Sequence, residues 1–220
     1  MKIKAIIYDL DGTLTYTLTD LHLATNYALR RCGYAERSLE EIRSFVGNGV
    51  GMLIAQAVPE GTDEGATAAC LKEFTAYYLQ HCMDNTTLYD GVREMMQDIK
   101  KRGYLTAIVS NKVQSGVDEL HARFFTGLVD VAIGERAGVP RKPAPDMVLA
   151  AIEALGVRRD ECVYIGDSEV DVATARNSGL PCISVLWGFR DREALVEAGA
   201  NTFAATPNEV LELLSSAQFA

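Results

Sequence analysis

The strongest constraint on this chain is a rhythm of short apolar, β-branched runs at Ile3 to Tyr8, Leu105 to Val109, Val129 to Ile133, Cys162 to Ile165 and Cys182 to Leu186, each bounded by Gly, Pro, Asn or Asp. Runs of this length and content are the pattern of strands buried on both faces. Helix-period segments separate the later ones: Val92 to Arg102 before Gly103, Val113 to Phe125, Pro145 to Leu155 before Gly156, and Val170 to Ser178 before Gly179. Strand and helix in alternation predict an α/β fold, a doubly wound, Rossmann-like, mostly parallel sheet. The interval from Thr15 to Thr87 breaks the rhythm, with successive helical patterns and no strand. Thr19 to Cys32 reads as one helix stopped by Gly33, Ser38-Leu39-Glu40-Glu41 has the spacing of a capping box opening a second, and Gly49 to Val58 and Thr62 to Cys82 supply two more. The expected organisation is a discontinuous core of residues 1–14 and 86–220 with an all-helical insertion at 15–85. A last helix at about Asn208 to Ser216 covers the sheet.

Charge narrows the partners. With 21 Lys plus Arg against 30 Asp plus Glu the net charge is −9, and no basic run exceeds Lys100-Lys101-Arg102. That excludes a nucleic-acid or anionic-membrane surface, so any anionic ligand must be attracted locally. The apolar run at the start stops at Asp9, too short for a signal peptide, and no stretch approaches the roughly 18 apolar residues of a membrane helix. A soluble, cytoplasmic protein is the expectation, with monomer or dimer left open. Hydrophobic residues at 48% are ample for a core. Cys32, Cys70, Cys82, Cys162 and Cys182 form no C-x-x-C pair and read as buried thiols without chemistry; His22, His81 and His121 read as helix-face residues.

In an open parallel sheet, ligands bind beyond the carboxyl ends of the strands. Four polar clusters fall there: Asp9-Leu10-Asp11-Gly12-Thr13, Ser110-Asn111, Arg141-Lys142-Pro143, and Gly166-Asp167-Ser168-Glu169-Val170-Asp171. Each alone has a bland reading, as a turn, a helix cap, a surface lysine, or acids opposing a helix dipole. Together they bring three acids, a lysine and two small donors to one edge. Carboxylates about 4 Å apart repel by around 4 kcal/mol per pair at an effective dielectric of 20, so Asp9, Asp11 and Asp167 call for cations. All-oxygen ligands suit Mg²⁺, and Lys142 supplies a second positive charge.

These motifs, in this order, resemble the haloacid dehalogenase superfamily over nearly the whole chain. The resemblance implies that Asp9 is a phosphate-accepting nucleophile and Asp11 the general acid/base. Asp9, Asp167 and the Asp11 backbone carbonyl would bind Mg²⁺, with Asp171 behind them. Leu10, Thr13, Ser110, Asn111 and Lys142 would meet the phosphate. The insertion looks like a helical cap of the first cap class, hinged at about Thr15 to Thr19 and Asn85 to Asp90. Its Phe45-Val46-Gly47-Asn48-Gly49-Val50 stretch is similar to the cap loop of phosphoglycolate phosphatases, which implies substrate contacts from Gly47, Asn48 and Gly49; a plain helix–helix corner explains the same glycines. Tyr16-Thr17 stand where many relatives have Asp-Ser.

The reading is therefore a Mg²⁺-dependent phosphatase acting through an aspartyl-phosphate on a small phosphorylated metabolite, 2-phosphoglycolate first, with pyrophosphate and other small phosphoesters behind it. Asp11 argues against haloacid dehalogenation, and a lone cap lysine, Lys72, against phosphonate hydrolysis. A phosphomutase usually carries Glu-Asp at the Gly166-Asp167 position. A phospho-receiver domain has adjacent acids and no use for an inserted cap.

Overall fold

The computed structural model describes residues 3–216 and 219. In chain order the strands are β1 (Ala5–Tyr8), β2 (Thr15–Tyr16), β3 (Thr87–Leu88), β4 (Leu105–Val113), β5 (Val131–Glu135), β6 (Cys162–Gly166), β7 (Cys182–Val185) and β8 (Phe203–Ala204). The helices are α1 (Leu18–Arg31), α2 (Leu39–Phe45), α3 (Val50–Ala57), α4 (Glu64–His81), α5 (Val92–Lys101), α6 (Gln114–Leu120), α7 (Asp146–Leu155), α8 (Glu169–Ser178), α9 (Arg192–Glu197) and α10 (Pro207–Ser215). The chain divides into two compact units, Met1–Thr15 with Leu88–Ala220, and Tyr16–Thr87.

The first unit is a parallel six-stranded sheet in the order β5-β4-β1-β6-β7-β8, the doubly wound α/β fold expected from the alternation. All four residues of β1 are fully buried, because helices cover both faces. One face packs Ile7, Val109 and Tyr164 against Met147, Val148 and Ala151 of α7 and Ala175 of α8. Each fully buried side chain of this size contributes roughly 1.5–3 kcal/mol. Register then places the polar residues: Tyr8 aligns with Ile108 of β4 and Ile165 of β6, so Asp9, the Ser110 stretch of β4 and Gly166-Asp167 lie toward the same end of neighbouring strands.

The second unit is helical. Ser38 and Glu41 form the expected capping box at the start of α2, Glu41 N–H bonding Ser38 Oγ at 3.2 Å and Ser38 N–H bonding Glu41 Oε2 at 2.7 Å. The buried Asp20 carboxylate of α1 accepts bonds from Asn85 N and Nδ2 and from Thr86 Oγ1, at 2.8–3.0 Å. It joins the opening of this unit to its end.

Several expectations are corrected. Ser110 and Asn111 lie inside β4 rather than after it: the strand runs on to Val113 through a register shift, with Val109 opposite Ile133 but Val113 opposite Glu135. Apolar content stops at Val109, so the polar continuation carried no strand signal. Neither residue caps the next helix, whose N-cap is Val113. The helix read as Val113 to Phe125 is α6 followed by a π-helical turn, His121–Phe125, in which Phe125 is fully buried. β2 and β3 edge the interval read as strand-free and pair in a ladder of their own; two residues are too few to show a period. α9 and β8 went unread for the same reason of length.

Candidate active site

The first motif is a tight turn beyond β1. Asp9 N–H continues the ladder to Ile165 O at 2.8 Å, and Leu10 O then accepts from Leu14 N, Thr15 N and Thr15 Oγ1. Leu10 is itself fully buried, and its carbonyl anchors the turn through those three bonds. Gly12 turns the chain at φ +98°, in the left-handed region, and a Cβ there would strike the Asp167 carboxylate. Glycine at this point is demanded by both conformation and space. Thr13 Oγ1 donates to Asp167 Oδ1 at 2.9 Å, which ties the first motif to the fourth.

Lys142 sits at the centre. Its side chain is almost wholly buried, and Nζ donates to Asp9 Oδ1 at 2.7 Å, Asp171 Oδ1 at 2.9 Å and Tyr164 OH at 3.0 Å. Burial alone would favour the neutral amine, but Asp171 and Asp9 outweigh it and hold the group as an ammonium with its pKa raised. Asn111 fixes the lysine backbone: Lys142 N donates to Asn111 Oδ1 at 2.8 Å and Asn111 Nδ2 donates to Lys142 O at 3.1 Å.

The acids separate by environment. For Asp171 burial works against the charge, yet Lys142, Ser168 and Tyr164 hold it below the usual carboxylate range; Oδ1 accepts from Lys142 and Tyr164, and Oδ2 from Asp167 N, Ser168 N and Ser168 Oγ. Asp9 is pushed well up by burial and then by Asp171, with Lys142 only partly offsetting this. Asp167 is pushed up to about 7 by burial and Asp171, although Phe189 N–H and Thr13 donate to it. Asp9, Asp167 and Asp171 can present oxygens within 4.8 Å of one another. With Asp171 engaged on both oxygens, Asp9 and Asp167 are the carboxyls short of positive charge. A hard cation on all-oxygen ligands fits that shortage.

The sequence-named residues of the core, Asp9, Asp11, Thr13, Ser110, Asn111, Lys142, Asp167 and Asp171, thus stand at the one end of the sheet, most of them linked by direct bonds. Gly47, Asn48 and Gly49 belong to the helical unit, where they turn the chain between α2 and α3 with φ +128° at Gly47 and +81° at Gly49. Thr17 begins α1 with a buried hydroxyl that has no hydrogen-bond partner among the described residues. Sequence reasoning quoted Ser168 in the fourth motif without giving it a role, and missed Lys112, Tyr164 and Phe189. Tyr164 could have been found, as the one hydroxyl in an otherwise apolar run two residues before Gly166. Phe189 could not, because it acts through its backbone N–H.

Residues 6–185 match the family model for haloacid dehalogenase-like hydrolases. The chain belongs to that family. Among curated relatives of this hydrolase, the phosphoglycolate phosphatase of Rhodobacter capsulatus is 37% identical, covering 94% of this chain and 96% of its own, and that of Vibrio parahaemolyticus is 30% identical, covering 97% and 96%. A crystal structure of a phosphoglycolate phosphatase candidate from Lactobacillus delbrueckii subsp. bulgaricus superposes with a TM-score of 0.93 at 36% identity, over 97% of this chain and 99% of that one. Among the described residues, no helix of this family member is long and apolar enough to cross a membrane.

Proposed function

We propose that this haloacid dehalogenase-like hydrolase is a phosphomonoesterase for a small phosphorylated metabolite, with 2-phosphoglycolate as its substrate. The observation that carries the reading is the buried Asp9 carboxyl held at 2.7 Å by the Lys142 ammonium, beside Asp167 and at the carboxyl end of the central strand. The curated relatives named for phosphoglycolate support the choice of substrate.

Asp9 attacks phosphorus, forming an acyl-phosphate bond as the ester P–O bond breaks, and the Asp11 carboxyl gives its proton to the departing oxygen. Water then attacks the phosphorus, Asp11 takes its proton, and inorganic phosphate leaves with Asp9 restored. Lys142 offsets the repulsion between the Asp9 carboxylate and a phosphate dianion and stabilises charge on the transferring oxygens. Asp171, Tyr164 and Asn111 keep that lysine in place. Asp9, Asp167 and the Asp11 backbone carbonyl would hold Mg²⁺, which when bound supplies the further positive charge the carboxyl cluster lacks. Leu10 and Thr13 of the first turn and Ser110 in β4 would serve the phosphate, and any substrate contacts of the helical unit are assigned to Gly47, Asn48 and Gly49. A net charge of −9 disfavours polyanionic partners and supports a free small phosphorylated molecule as the substrate, with a cytoplasmic setting proposed for the protein.

The test is phosphate release from 2-phosphoglycolate and a few dozen other phosphate esters, with Mg²⁺ and then with a chelator. Chelator-sensitive turnover, fastest on 2-phosphoglycolate, is expected; a folded, metal-replete protein that releases phosphate from none of them contradicts the reading.

A further inference from the structure

The site contains a second buried lysine that the reaction scheme does not use. Lys112 Nζ lies 3.1 Å from Asp11 Oδ1 and 3.3 Å from Oδ2, with the lysine side chain 6% exposed and that of Asp11 17%. Contacts from one ammonium to both oxygens set the direction in which the Asp11 carboxyl faces. Each of the two acids that carry the proposed reaction therefore has its own lysine, Lys142 on Asp9 and Lys112 on Asp11.

The fold is shaped around Lys112 from three directions. The register shift after Val109 lets residues 110–112 leave the regular ladder with β5. Ser110 Oγ accepts from Lys112 N at 3.1 Å, which fixes the backbone of that departure. On α6, Gly116 leaves room for the stem, since a Cβ there would stand 3.3 Å from Lys112 Cε; on β5, Gly134 leaves room for the backbone, since a Cβ there would stand 2.7 Å from Lys112 O. Two elements thus omit a side chain where this residue passes.

The geometry points to Lys112 as a positioning residue for the acid/base carboxyl, aiming Asp11 at the ester oxygen and then at the attacking water. The inference rests on the proposed phosphomonoesterase reaction and adds a residue to it. Lys112 acts through Asp11, so its loss falls on proton transfer and not on phosphate binding. Leaving groups that depart as stable anions need little protonation, whereas an alkoxide needs it fully.

Lys112→Met keeps the stem and removes the charge, Lys112→Arg restores a cation, and Lys112→Gln keeps a neutral donor if the Met variant does not fold. Each is assayed by stopped-flow phosphate release on phosphomonoesters graded from nitrophenyl to primary alkyl, after thermal melting has shown it folded. The expected result for Lys112→Met, or for Gln in its place, is kcat on the alkyl esters reduced about tenfold or more. KM should stay within about threefold, the loss in kcat/KM, which reports the step that expels the leaving group, should shrink toward nitrophenyl phosphate, and Arg should recover part of it. A loss of kcat/KM that is uniform along the series, a raised KM with kcat unchanged, or wild-type kcat and kcat/KM overturns the assignment. Because wild-type turnover is measured in the same series, an inactive wild type would instead count against the phosphatase reading itself.

Discussion

At the scale of single residues, one unbalanced charge explains most of the site. Lys142 is shared among Asp9, Asp171 and Tyr164, and Asp171 takes the larger part of its benefit, which leaves Asp9 and Asp167 raised. Tyr164 arbitrates, since its hydroxyl accepts from Lys142 and donates to Asp171 Oδ1 at 3.0 Å. Tyr164→Phe keeps the packing against α7 and α8 but removes one of the three groups that hold Lys142 Nζ. We expect kcat to fall about tenfold or more, the range typical of groups that orient a ligating or reacting side chain, with stability down by only about 1 kcal/mol. Steady-state kinetics alongside a denaturant melt check this, and unchanged kcat would show that Tyr164 does not orient the lysine. At this scale the sequence was legible where a polar side chain follows an apolar run, as for Asp9 and Asp167, or stands in a loop beyond one, as for Lys142. Tyr164 left only the faint signal of one hydroxyl in an apolar run, and Phe189 none, because its contribution is a backbone N–H.

At the scale of elements, sequence patterns located what burial enforces and missed what geometry alone decides. β1, β6 and the helices closed by Gly156 and Gly179 follow from apolar runs and left-handed stops. The polar half of β4 and the π-turn at His121–Phe125 have no period to read, and β2, β3 and β8 are two residues each. The clamp made by Asp20 also lies beyond pattern, because its partners Asn85 and Thr86 are 65 and 66 residues away. Asp20→Ala removes the acceptor of the Asn85 N–H and side-chain amide, while Thr86 Oγ1 keeps Cys82 O, so it should destabilise the protein by about 1–2 kcal/mol. Urea unfolding followed by circular dichroism measures this. A midpoint equal to the wild type would mean the clamp contributes nothing.

For the whole molecule, an acidic protein handles an anion by concentrating carboxyls where a cation can join them. The net charge of −9 and the cluster of Asp9, Asp167 and Asp171 are compatible with an anionic ligand because the local lysines and the proposed Mg²⁺ offset the carboxyl charge of the site. Such a cluster should make the folded protein itself take up the ion. Mg²⁺ at a hundred times its dissociation constant should stabilise the wild type by about 2.7 kcal/mol, with Asp167→Asn showing little or no gain. Thermal melts with and without the ion, on both proteins, test this; equal gains would place the ion elsewhere.

In the proposed reaction Asp9 carries the phosphoryl group. Enzyme quenched in acid during turnover of 2-phosphoglycolate, digested and analysed by tandem mass spectrometry, should show one phosphoryl group on Asp9. Asp9→Asn should show none and release no phosphate while melting like the wild type. Phosphate release at the wild-type rate by a folded Asp9→Asn protein would contradict the account.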